Sequence, residues 1–133
     1  MSEDRALADY HWLRELPGLS TLGCATLIAY VDIERASTVR SFWKFCGLAV
    51  VDGKAEAKRR GVKNAYCGPV KKMLLWEVAT ALGKKEKERL ANYQAFYTSQ
   101  HSEWTKEHVN MAARRRLVKS WAAKLWEQWR SER

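Results

Sequence analysis

Over most of this chain the apolar residues recur at helical spacing, not in alternation. Leu7, Tyr10 and Leu13, running up to Leu16, predict a first helix with Ser2 or Asp4 as its cap. Pro17-Gly18 ends it, because proline disfavours helix in the residue before it and glycine admits positive φ. Ser20 or Thr21 then caps a second helix that is apolar over much of its surface (Leu22, Ala25, Leu27, Ile28, Val31), which predicts a central position. A third, short helix is capped by Ser37, filled by Phe42, Trp43 and Phe45, and stopped by Gly47.

The segment from Leu48 to Gly68 is the least regular. Val50-Val51-Asp52-Gly53 has the composition of a small β-hairpin turn, and the basic stretch KAEAKRRGVKNAYCG after it reads as a loop. Gly68-Pro69 opens a fourth helix with proline at its first position, a buried stripe of Val70, Met73, Leu74, Val78 and Ala81, and an end at Gly83. A fifth helix, from Lys84 to about Gln100, carries Leu90, Tyr93, Phe96 and Tyr97. Ser102 or Thr105 caps a last long helix to about Arg130, with Val109, Ala113, Leu117, Trp121 and Leu125 on one face. The pattern predicts one all-α domain over residues 1–133, of about six helices, with a basic loop or small β-hairpin near 48–68.

Composition supports this and narrows the function. Two Pro and seven Gly leave few breakers in 133 residues, and a hydrophobic fraction of 47% with seven Trp argues against disorder. The apolar run from Thr21 to Val31 falls short of the ~20 residues that cross a bilayer, so no membrane partner is expected. Met1 is followed by Ser2, Glu3 and Asp4, not by the charged-then-apolar opening of a secretory leader, so a cytoplasmic location is expected.

Cys24, Cys46 and Cys67 stand far apart with no CxxC pair and read as small buried hydrophobes. His11, His101 and His108 fit no metalloprotease spacing, so no metal and no cofactor are expected. Acidic residues are scattered, and there is no GxSxG, no P-loop and no carboxylate pair at a two-metal spacing. No catalytic residue is therefore assigned.

The net charge of +9 is unevenly distributed. Residues 1–50 hold five Lys/Arg against six Asp/Glu, whereas residues 51–133 hold nineteen against nine. Such asymmetry implies a polyanionic partner for the second part. Three segments suit phosphate contact. At the Pro-Gly corner the first amides of the second helix lack intrahelical acceptors, so Gly18, Leu19, Ser20 and Thr21 form either a plain helix-helix corner or a phosphate clamp. Lys58, Arg59, Arg60, Lys63, Lys71 and Lys72 place six cations within fifteen residues. Arg114, Arg115 and Lys119 are expected on one side of the last helix. Trp121, Trp126 and Trp129 share no exposed ladder there and read as core or interface residues, not a base-stacking platform.

In this order the motifs resemble the C-terminal domain of insertion-sequence-110/116-type transposases, the RNA-guided DEDD recombinases. The family's opening helix-hairpin-helix is matched by LRELPGLSTLGCATLIAYV, and its aromatic helix ending in Gly-Leu by SFWKFCGL. Its basic turn and following helix are matched by KRRGVKNAYCGPVKKMLLWEVA, and the closing signature of archaeal-type members by HVNMAARRRLVKSWAAKLWEQWR. The resemblance covers about residues 12–131 and implies the family's fold and its contact with DNA. Family members also carry an RNase-H-like domain with a metal-binding acidic tetrad, for which this chain has no room, and a nucleophilic serine after the Gly-Leu. Leu48 to Thr98 contains no serine.

The expectation is a non-catalytic DNA-binding domain of a mobile element, archaeal or viral, contacting phosphates through the corner and the basic segments. One alternative is an assembly protein forming a homodimer through its Trp-rich last helix. Another is an accessory RNA-binding subunit of a transposase, for which structured RNA replaces DNA as the partner.

Overall fold

The computed structural model describes residues 3–16, 18–51, 54–55 and 66–132. In chain order the helices are α1 (Glu3–Arg14), α2 (Thr21–Tyr30), α3 (Val39–Phe45), α4 (Gly68–Met73), α5 (Ala79–Lys85), α6 (Lys87–Gln100) and α7 (Lys106–Ser131). A π-turn, Leu74–Val78, joins α4 to α5 into one continuous helical run. The chain is all-α, its helices forming the six stretches that the hydrophobic spacing predicts. Between α3 and α4 the short strands β1 (Val50–Val51) and β2 (Lys54–Ala55) pair antiparallel, Val50 opposite Ala55 and Val51 opposite Lys54. This is the small hairpin expected there; Asp52 and Gly53 lie outside the described residues.

Helix α7 organises the molecule. Its 26 residues contain neither glycine nor proline and are rich in Ala, Arg, Lys and Leu, which lose little freedom in a helix. The Thr105 hydroxyl caps its start by accepting from the His108 amide at 3.1 Å. At about 1.5 Å per residue such a helix is roughly 39 Å long, enough to receive several partners along its length. It packs against α3, the π-turn, α5 and α6. Val109, Ala113, Leu117, Val118, Ala122, Leu125 and Trp129 are its buried face, while Trp121 is half-buried.

The second helix is not the centre. It packs against α1 and α4 on one side, burying Gly23, Cys24 and Leu27. Leu22 is 73% exposed and Ala25 also faces solvent, so an apolar surface on most sides did not mean enclosure on all sides. Two helix boundaries also differ from the sequence pattern. Thr38, not Ser37, caps α3, in a reciprocal capping box with Ser41. Gly83 lies inside α5, where a Cβ would meet Leu90 Cδ2 of α6 at 3.4 Å, so it serves helix packing and not a stop. Gly47 does end α3, with φ +73°.

The far end of α7 pins the loop between α2 and α3. Trp126 Nε1 donates to the Ala36 carbonyl at 2.6 Å, and Arg130 Nη1 donates to the carbonyls of Ile33, Glu34 and Ala36. Trp129 is fully buried, its ring centroid 6.4 Å from that of Trp12. Cys24 and Cys46 are buried as expected, and burial pushes both thiols up, away from the reactive thiolate. Cys67 is half-buried.

Candidate nucleic-acid interface

The Pro-Gly corner is built from the inside. Gly18 takes φ +93°, a conformation that strains any other residue. Leu19 is buried, and its carbonyl accepts from Arg14 Nη1 at 3.3 Å. Ser20 caps α2 through its side chain, which accepts from the Gly23 amide at 3.1 Å. The Ser20 amide itself donates to Glu77 Oε1 at 3.0 Å, so a carboxylate from the π-turn sits at the start of α2. Thr21 and Leu22 are exposed and, as the first two residues of the helix, have no acceptor one turn back. The part of the corner open to an anion is thus narrower than Gly18–Thr21: it is the outer edge, from Thr21 to Leu22.

Lys58, Arg59, Arg60 and Lys63 lie outside the described residues. Lys71 and Lys72 fall in the last turn of α4. The Lys71 ammonium lies 4.3 Å from the Tyr66 ring centre, and Lys72 is exposed.

The cations of α7 do not share one side. With about 100° between successive helical residues, Arg114 and Arg115 point in different directions. Arg114 reaches back to α5, donating to Thr80 Oγ1 at 2.8 Å. Arg115 and Lys119 instead line a cleft of about 990 Å³ bordered by α3, α6 and α7. Sequence reasoning missed several of its residues. Arg89 of α6 donates to Tyr93 Oη and to Ser120 Oγ, each at 2.9 Å. Arg116 lies over the Tyr93 ring, 4.6 Å from its centre, and Lys119 lies 4.4 Å from the centre of the Trp43 ring. Trp43 is held in turn by its Nε1, which donates to the Lys119 carbonyl at 3.0 Å.

The electrostatics are lopsided. Among the described residues Arg114, Arg115, Arg116 and Lys119 have no carboxylate partner, whereas Arg89 has Glu86 at 3.3 Å. Burial pushes the Arg115 guanidinium below its ordinary range, with nearby Tyr97 opposing the shift. Its Nε is buried with no acceptor among the described residues. An unmet buried donor of this kind costs about 1–3 kcal/mol. Burial also lowers Lys119, and the positive charges of Arg115 and Arg116 lower it further. A negative charge in the cleft would oppose both shifts, because it favours the charged forms.

The aromatic residues here come from three separate stretches: Trp43 from α3, Tyr93 and Tyr97 from α6, and Trp104 from the turn before α7. A search confined to the tryptophans of the last helix misses them. Arg116 was legible as one of three consecutive arginines, but nothing local marks the rings it covers.

Among the described residues no group of three or more His, Cys, Asp or Glu side chains comes together as a metal site, and no helix is long and apolar enough to cross a membrane. Compared with known families, the chain matches the model of the IS116/IS110/IS902 transposase family over residues 10–95, which run from within α1 through most of α6. No curated protein and no solved structure matches it.

Proposed function

Because the chain belongs to the IS116/IS110/IS902 transposase family, we propose that it is a non-catalytic DNA-binding domain that grips the phosphate backbone. The observation carrying this reading is the set of α7 cations without carboxylate partners, three of which, Arg115, Arg116 and Lys119, share a cleft with Arg89 of α6. Uncompensated positive charge on a rigid helix supplies sequence-independent affinity through counterion release. The basic segment Lys58–Lys63, with Lys71 and Lys72, adds to it, and the exposed start of α2 at Thr21 offers backbone amides to one more phosphate, as in a helix-hairpin-helix.

The non-catalytic part rests on the sequence, in which no serine stands from Leu48 to Thr98. The assembly alternative is less favoured: Trp126 and Trp129 are engaged within the chain, and none of the large exposed hydrophobic residues belongs to α7.

An electrophoretic titration with duplex DNA at several salt concentrations tests the reading. With about four to six phosphates neutralised, log K falls against log salt with a slope of roughly −4 to −5. Changing Arg115 and Lys119 together to Ala weakens all duplexes alike and flattens the slope by about 2. Supercoiled plasmid incubated with Mg²⁺ or Mn²⁺ stays intact. Salt-independent binding, or nicking that an acidic-residue substitution abolishes, refutes the reading.

A further inference from the structure

The turn before α7 holds a ladder of stacked rings beside the cationic cleft. Trp104 lies between His101 and His108, with ring centroids 3.7 Å and 4.0 Å away and planes within 5° and 10° of parallel. These are close to the spacings of stacked bases. His101 and Trp104 are half-buried, whereas His108, at the end of the ladder, is exposed. One and two turns further along the same side of α7 come Ala112 and Arg115, and then Lys119. A flat stack of one indole and two imidazoles, its His101 paired with Glu103 at 3.4 Å on the rim of the cleft, thus leads along α7 to Arg115, whose Nε has no acceptor among the described residues.

We propose that this cleft takes one unpaired nucleotide, its base extending the ladder at His108 and its phosphate held by Arg115 and Lys119. The proposal rests on the nucleic-acid reading above and refines it. The occupant must offer a planar π-face and an anionic group a few bonds apart, and a nucleotide does both. It must also be unpaired, because inside a duplex both faces of each base are already stacked. A volume of about 990 Å³ corresponds to a space only about 10 Å across, at the upper end of ordinary small-ligand sites and too narrow for a whole duplex. The duplex then lies outside on the backbone contacts, while a bulged, flipped or single-stranded nucleotide enters. DNA and RNA share this chemistry.

The test is a fluorescence-anisotropy titration of the intact chain with four labelled probes, in which the abasic bulge matches the bulged DNA in charge. They are a fully paired DNA duplex, the same duplex with a one-nucleotide bulge, that bulge made abasic, and an RNA duplex carrying the bulge. The bulged probes are expected to bind roughly 5–100-fold more tightly than the paired duplex, the range of one base stacked on an aromatic side chain. The abasic bulge loses that preference, and so does His108→Ala, an exposed position whose removal leaves the fold and the salt slope intact. The tighter of the DNA and RNA bulges identifies the natural source. Equal, salt-dependent binding of paired and bulged probes overturns the inference and leaves the proposed function standing. Absence of salt-dependent binding to every probe removes both.

Discussion

The Ser20 amide donates to the carboxylate of Glu77, 57 positions along the chain, at 3.0 Å. An internal anion thus occupies part of a helix start whose dipole and free amides suit a phosphate. The π-turn places it there: one wide turn between α4 and α5 carries Glu77 alongside Gly23, where a Cβ would lie 3.3 Å from the same oxygen.

Removing that charge has opposite effects on folding and on binding. Glu77→Gln weakens a charge-assisted hydrogen bond at a helix N-terminus and is expected to destabilise the protein by about 1 kcal/mol. Thermal unfolding followed by circular dichroism should show a midpoint lower by roughly 3–6 °C. Duplex affinity should rise, since a negative charge leaves the proposed interface. An unchanged midpoint would show that the contact contributes nothing to stability.

Lys119 gives a pH signature. Its ammonium is held below the ordinary lysine value of 10.5, so the folded state sheds its proton before the unfolded state does. Stability therefore rises as pH climbs from the folded value toward 10.5, and the penalty is present in full below that window. Lys119→Met keeps a stem against Trp43 and removes the charge. Chemical denaturation should find the variant more stable than the parent at neutral pH, with the difference shrinking in alkali. The same variant should bind duplex DNA less tightly.

Gly47 is required by its backbone. At φ +73° an alanine is strained, and its Cβ would lie 2.5–3.0 Å from the Lys71 stem. Gly47→Ala should cost about 2 kcal/mol, from a left-handed conformation and a displaced lysine together. Urea denaturation measures this directly, and a neutral effect would mean that the turn relaxes freely.

Arg130 separates stability from binding. It spans three carbonyls of the loop between α2 and α3, at the end of α7 away from the cleft. Arg130→Ala should lower stability by about 1–3 kcal/mol, because those carbonyls lose a charged donor. At temperatures where the variant stays folded, duplex affinity should change less than twofold. A large loss of affinity would place the interface at the wrong end of α7.

Local chemistry made much of the fold legible. Gly18 and Gly47 take the positive φ that their places in the sequence imply, Thr105 caps the last helix, and Val50-Val51 pairs antiparallel with Lys54-Ala55. These features depend on residues a few positions apart, and short-range sterics and hydrogen bonding decide them. The charge asymmetry belongs to the sequence in the same way.

What tertiary structure decided is which side of each helix is covered and which distant side chains meet. The exposure of Leu22 follows from α2 packing on α1 and α4 with that side left uncovered among the described residues, and the interior place of Gly83 follows from the approach of Leu90. The division of Arg114 from Arg115, the cation-covered rings of Trp43 and Tyr93, and the carboxylate of Glu77 at Ser20 all depend on contacts between residues far apart in the chain, up to 76 positions for Trp43 and Lys119. Hydrophobic periodicity fixes a helix and its apolar stripe, but burial of that stripe is non-directional, so the partner that covers it is set only when the whole chain packs.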